Sequence, residues 1–232
     1  QVYVLQKFGL LDYLQFDGYS YRFVPILTPY KDPWNIGRID ADYAYDKLMN
    51  TMRYGNLADE RVYVDYFTLY NLNVSRAREA FARVAREYIK QGNKEGLMRA
   101  EELLDRGLAV MPNGQIRFTE ANTYPFIECY YDLGLTQKGD DLLKAFCNNL
   151  IEYLDYYMQF DENMGKWVDN IIYDKMDELE RVYYLAAYHN REAIVQDINK
   201  YYRSLGAEDK DLILTQQEKD SLGIQGADQS RN

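Results

Sequence analysis

Proline is scarce in this chain. There are five in 232 residues, and none follows Pro125. The C-terminal part is therefore open to long uninterrupted helices. Histidine occurs once, at His189, and cysteine twice, at Cys129 and Cys147. A Ser-His-Asp or Cys-His site would have to use that single imidazole. Three scattered His and Cys side chains do not supply a zinc centre. His189 lies in AAYHNRE, where a helix ends beside Asn190, and it reads as a C-terminal cap or an exposed turn. The cysteines fall on successive predicted helices. A disulfide stays open, but two buried thiols at helix interfaces fit better, and two cysteines do not fix a redox compartment.

No Gly-rich loop has Walker or Rossmann spacing. No run approaches the roughly 18 apolar residues of a membrane helix, and no charged start leads into the apolar core of a signal peptide. Basic charge is also short, with 27 basic against 37 acidic side chains and a net charge of −10. Phosphate binding needs a basic face, so nucleic acid is not an expected partner. No cofactor, metal ligand or catalytic residue is expected. The carboxylate pairs Glu101-Glu102, Asp140-Asp141, Asp161-Glu162 and Asp177-Glu178 are adjacent on helices and point about 100° apart. They cannot face each other as the acids of a glycosidase must. Asn73-Val74-Ser75 fits a glycosylation acceptor pattern but reads as a helix cap.

What is present is tyrosine, 24 of it against 9 Phe and 2 Trp. Tyrosine can line a sugar- or peptide-binding surface, or fill half-buried positions between helices, and the second use is the commoner. The stretch Asn73 to Pro112 organises the rest. Val74, Ala77, Phe81, Val84, Ala85 and Tyr88 form the stripe of an amphipathic helix. Arg76, Arg78, Glu79, Arg83, Arg86, Glu87 and Lys90 form its polar face. Gly92-Asn93 ends it. A second stripe runs through Leu97, Ala100, Leu104, Leu108 and Met111 to Pro112. The spacing of Phe81, Val84, Ala85, Tyr88, Ala100, Leu104 and Pro112 resembles a tetratricopeptide (TPR) repeat, although the eight residues from Gly92 to Ala100 imply an enlarged turn. Ala85 and Ala100 are the small residues that would let two helices approach.

Before this hairpin the chain is mixed. Residues 1–16 carry the spacing of a short amphipathic helix, and 18–27 alternate as a strand that Pro25 confines to an edge or ends early. Residues 28–38 read as a loop. Asp40 or Asp42 caps a helix running to about Met52, and 61–69 reads as another strand. After the hairpin come a loop at 119–123, a short helix 124–133 with Pro125 in its first turn, and a longer helix from Lys138 to about Tyr157. A last pair is striped by Ile172–Ala186 and Ile194–Leu205. Tyr130 and Gly134 echo Tyr88 and Gly92 as a degenerate repeat. The expected fold is mainly α, a TPR-like α-α superhelix with a small mixed α/β N-terminal module. Its expected parts are 1–72, the helical array 73–206 and a polar tail 207–232. Tyr19, Tyr21, Arg22, Trp34 and Arg38 on the first module are the leading candidates for binding extended peptide. Tyr88, Tyr130 and Tyr131 mark a helical groove as the second candidate.

The segments FGLLDYLQFDGYSYRFVPI, GRIDADYAYDKLMN, YGNL, VYVDYFT and RAREAFARVAREYIKQG are similar, in this order, to one bacterial family. Its members are large multi-spanning membrane proteins related to the animal protein O-mannosyltransferases that modify plexin-type receptors. The resemblance extends to about Tyr157 and is loose beyond. It implies that the chain is a C-terminal soluble portion, cut from something longer and facing the periplasm. The family's catalytic acids would lie in a membrane-embedded half, so none carries over to a residue here. The expected partners are acceptor proteins or peptides and that membrane half. Two other functions compete: a freestanding TPR-like interaction module and a soluble carbohydrate-active enzyme.

Overall fold

A computed structural model describes residues 8–29, 36–65, 67–68, 77–114, 116–160 and 162–206. Helix dominates, with seven α-helices and a small three-stranded sheet among these residues. Chain contacts divide into two compact units, 1–134 and 135–232. This is a different partition from the one expected at residue 72.

The first unit opens with one 3-10 turn, Leu11–Tyr13, and strand β1, Leu14–Phe16. The helix expected over residues 1–16 is therefore not formed over the part described. Gly9, at φ +65°, interrupts it, and Leu14 and Phe16 are buried in the sheet instead. A two-residue turn leads to β2, Tyr21–Phe23. Its first position is Gly18 at φ +96°, as a II′-type hairpin turn requires, and Asp17 N–H closes on Ser20 O at 2.9 Å. β2 stops short of Pro25. Strand β3, Arg38–Ile39, pairs parallel with β1, giving the order β2-β1-β3. The strand expected over 61–69 is absent from its described residues. Their contacts include the Asp59–Arg61 ion pair at 2.6 Å and Thr68 N–H on Asp65. Alternation makes a strand only where a neighbouring strand accepts its backbone, and no strand among the described residues pairs with this stretch.

Helix α1, Ala41–Asp46, is capped by Asp40, which accepts from Tyr43 N–H, and continues as a π-turn to Thr51. Helix α2, Glu79–Gln91, ends on Gly92 at φ +67°. Asn93 immediately caps α3, Lys94–Val110, accepting from Gly96 N–H at 2.8 Å. The turn is thus two residues long rather than enlarged, and the extra length extends the start of α3. Asn73, expected as a cap, lies outside the described residues. Helix α4 runs Glu120–Asp132, longer than expected. Asn122 reaches back to Thr119 N–H at 3.0 Å and so starts the helix where a loop was expected. Pro125 then sits in the second turn.

α2 packs against α1, α3 and α4. Ala82, Val84 and Ala85 are fully buried, as is Ala100 on α3. The closest approach uses a residue the sequence reading passed over. A Cβ on Gly107 would meet the Phe126 ring at 2.9 Å and the Phe81 ring at 3.0 Å. Two arginines of the expected polar face are buried too. Arg78 is wholly inside and Arg83 is 8% exposed. Arg78 donates from Nε and Nη2 to Met111 O at 3.2 and 2.6 Å. It also donates from Nη2 to Ile116 O at 2.8 Å and from Nη1 to Asn122 Oδ1 at 2.9 Å. Burial pulls its pKa down to about 9, so it stays protonated at neutral pH.

The second unit contains α5, Thr136–Tyr157, α6, Glu162–Tyr188, and α7, Glu192–Ser204. Leu143, Phe146, Leu150 and Leu154 of α5 are buried, as are Leu179, Val182, Tyr183 and Ala186 of α6 and Ile194 and Ile198 of α7. Asn190, at φ +56°, ends α6 in a Schellman arrangement. Arg191 N–H bonds Ala186 O at 2.8 Å and Asn190 N–H bonds Ala187 O at 3.1 Å.

Two substitutions test the first unit. Gly107→Ala should overpack the α2–α3–α4 junction and cost about 1–3 kcal/mol in urea unfolding. Arg78→Ala should cost about 3–5 kcal/mol by leaving the Met111 and Ile116 carbonyls without their guanidinium donor in the interior. Arg78→Lys should recover little of this, because one ammonium cannot fork to three acceptors.

Candidate functional site

β2 is an edge strand, and all three of its residues are exposed. Its register with β1 is Leu14↔Phe23, Gln15↔Arg22 and Phe16↔Tyr21. Asp17 N–H on Ser20 O and Val24 N–H on Tyr13 O show that Ser20, Arg22 and Val24 turn their backbone toward β1. Antiparallel alternation then turns the N–H and C=O groups of Tyr21 and Phe23 outward. Such a row can take an added strand.

The two sheet faces differ. On one lie Phe16, Tyr21 and Phe23. Phe23 is 58% and Tyr21 45% exposed. Tyr21 meets Phe16 at 5.4 Å between ring centroids, and Arg83 of α2 holds it. Arg83 donates to Tyr21 Oη and to Ile36 O, both at 3.0 Å, and lies 4.0 Å over the Phe16 ring. Gly37, at φ +85°, passes close under the Tyr21 ring, where a Cβ would sit 3.2 Å away. On the other face, Gln15 is register partner to both Arg22 and Arg38. The two arginines therefore stand in one row across the sheet. Arg22 pairs with Asp17 at 2.7 Å and lies 4.5 Å over the Tyr43 ring, which also carries Lys47 Nζ at 5.2 Å.

The candidates from sequence are distributed as follows. Tyr21, Arg22 and Arg38 come together on the sheet. Tyr19 occupies the β1–β2 turn. Its ring is half exposed, and its hydroxyl donates to Met111 Sδ at 3.9 Å. Burial and the neighbouring Tyr54 raise its pKa. Trp34 lies outside the described residues. Tyr88 and Tyr130 are buried, at 2% and 1% exposure, so neither ring offers surface. Tyr88 donates to Asp42 at 2.8 Å and Tyr130 to Asp105 at 2.9 Å. Each stands four residues before a glycine in the left-handed conformation, Gly92 or Gly134, so the sequence echo has a local structural counterpart. Tyr131 is half-buried on α4. Phe23, Tyr43, Lys47 and Arg83 were missed. Only Phe23 carried a signal, its two-residue offset from Tyr21.

In the second unit a shallow cleft of about 240 Å³ is lined by Asp140, Lys144 and residues 190–194. Arg191 bridges it, with Nη1 3.5 Å from Asp140 and Nε donating to His189 O at 2.6 Å. His189 caps α6 and meets the Tyr188 ring edge-on at 4.9 Å. Both cysteines are buried and free, and burial raises each thiol to about 12. Among the described residues no helix is long and apolar enough to cross a membrane, and no cluster of three or more His, Cys, Asp or Glu could hold a metal. Compared with known proteins, the chain matches no family model, no curated protein and no solved structure.

His189 yields a pH test. Burial and Arg191 lower its pKa from 6.5 to about 4, against a smaller opposite effect of Asp140. Between those values the unfolded chain binds a proton that the folded chain refuses, so this group's contribution falls as pH falls. Glu128 and Asp132 are raised by burial and act in the opposite sense. The comparison with a variant isolates the histidine. His189→Gln should lose less stability than the parent between about pH 7 and pH 5, by urea midpoint. Equal losses would mean that His189 stays solvated.

Proposed function

We propose that this chain is the extracytoplasmic accessory or acceptor-binding domain of a membrane protein O-glycosyltransferase, O-mannosyltransferase-like and non-catalytic by itself. The observation that carries the binding half of this reading is the β2 edge, where Tyr21 and Phe23 are exposed beside outward-facing backbone groups. An extended acceptor segment is what a sheet edge takes. The glycosyltransferase half rests on the ordered similarity of residues 8–92 to the membrane family. In this reading the domain faces the periplasm and is tethered to a membrane-embedded half of the same polypeptide. The helical pairs α2–α3 and α6–α7 are treated as TPR-like repeats.

The two-residue Gly92-Asn93 turn, the burial of Ala85 and Ala100 and the close packing at Gly107 favour a second reading, a freestanding TPR-like interaction module. A transfer assay separates the two. The full-length protein is given lipid-linked mannose and acceptor, with and without this domain, and acceptor mass is followed. Deletion should abolish or slow transfer while the membrane half stays folded, and the isolated domain should transfer nothing. Undiminished transfer after deletion, or product from the isolated domain, would reject the accessory role.

A further inference from the structure

We infer that the β2 edge selects an extended acidic segment, one with a carboxylate flanked by apolar residues. This deepens the proposed peptide-holding role and rests on it. A strand added to β2 continues the pleat. Its residue beside Arg22 joins the face that carries Arg22, Arg38 and Lys47, and the residues on either side join the Tyr21 and Phe23 face. Arg22 and Arg38 lie one strand apart on each side of Gln15, so their Cα atoms are roughly 10 Å apart at the usual strand spacing. The carboxylates close by are engaged. Asp17 is held between Gln15 and Arg22, and Asp40 caps α1. Within the Arg22–Asp17 pair the arginine side chain is 47% exposed and the carboxylate 10%, so the cation is the group that meets an added strand. The net charge of −10 does not cancel this, because distant exposed charges are screened beyond about 8 Å at physiological salt.

The same row argues against a second copy of this chain as the occupant. Antiparallel β2–β2 pairing about its two-fold axis would set Tyr21 beside Phe23 of the other copy, and Arg22 directly opposite Arg22. Like charges facing across strands destabilise the pair. A Glu or Asp at that position makes the pair favourable, and a Val, Ile or Tyr on each side of it covers the exposed rings.

The test uses the full chain and two fluorescein-labelled octapeptides. They share a Thr-Val-x-Val-Thr centre, with Glu at x in one and Lys in the other. Anisotropy should show the Glu peptide binding about five- to tenfold tighter at about 0.1 M salt. The Glu peptide should also shift the Tyr21 and Phe23 amide resonances. Methylating the peptide's backbone nitrogens on the side facing β2 should abolish binding. Arg22→Glu should reverse the preference, with Arg22→Gln removing it if the reversed charge disturbs Asp17. Equal binding of the two peptides overturns the acidic selection but leaves the peptide-holding role standing. Failure of both peptides to bind overturns the inference. So does sedimentation showing a dimer that Phe23→Lys disrupts. Only the transfer assay on the full-length protein decides whether the accessory role falls as well.

Discussion

Two arginines, Arg78 at the N-cap of α2 and Arg83 within it, tie the segments of the first unit together. Arg78 and Arg83 are buried with neutral partners, carbonyls, a side-chain amide, a hydroxyl and aromatic rings. Removing a guanidinium from water costs roughly several kcal/mol even after relaxation. Hydrogen bonds to a charged donor return roughly 1.5–3 kcal/mol each, and Arg78 makes four. The bonds also tie distant segments to α2. Arg78 fixes the chain between Met111 and Asn122 as it leaves α3, and Arg83 fixes β2 and the approach to β3. The arginine spacing along α2 thus determines where the sheet and the 111–119 loop can sit. The Nε of Arg83 finds no hydrogen bond among the described residues. It faces a site where the Phe16 ring takes the cation instead.

This arrangement explains why some of the architecture was legible in the sequence and some was not. The apolar stripe of α2, its glycine stop, the α3 stripe and the long proline-free helices were readable because period and caps are local properties. The edge character of β2 was readable from Pro25. The burial of Arg78 and Arg83 was not, because an arginine on a helix surface and one in a protein interior look identical in sequence. The difference lies in the 111–122 segment and the sheet closing over the two side chains, which is a tertiary fact. The same holds for 1–16, where helical spacing lost to strand pairing of Leu14 and Phe16. At the candidate site, Arg22 and Arg38 were named from sequence without their relation. Only the β2-β1-β3 order, with its crossover, brings them into one row.

Tyrosine and the acidic excess are connected. Tyr45 donates to Glu102, Tyr88 to Asp42, Tyr130 to Asp105, Tyr184 to Glu180 and Tyr201 to Asp155. Four of these pairs join different elements, with the hydroxyl meeting a carboxylate on the neighbour, and Tyr184–Glu180 stays within α6. Ordinary cores place phenylalanine or leucine at such positions and leave the rim acids to arginine or lysine. Here tyrosine joins arginine and lysine as a partner of the carboxylates. A Tyr–carboxylate bond needs no counter-charge, so this chain holds its helices together while remaining strongly acidic.

The β2 edge is exposed yet guarded. It has three residues, its middle residue is charged and Pro25 follows closely, all features that discourage open-ended pairing. These guards set the strength of any binding. A three-residue edge offers the outward groups of two residues, and net hydrogen bonds contribute about 0.5–1.5 kcal/mol each. Covering Phe23 and Tyr21 from partial exposure adds less than the about 1.5–3 kcal/mol of burying a side chain fully. Association and ordering of the peptide take back at least about 4 kcal/mol. The balance permits weak, rapidly reversible contact. A domain that presents acceptor to an enzyme must also release it after transfer, so weak binding at a guarded edge suits that role. An edge optimised for affinity would be longer and uncharged, and it would recruit copies of itself.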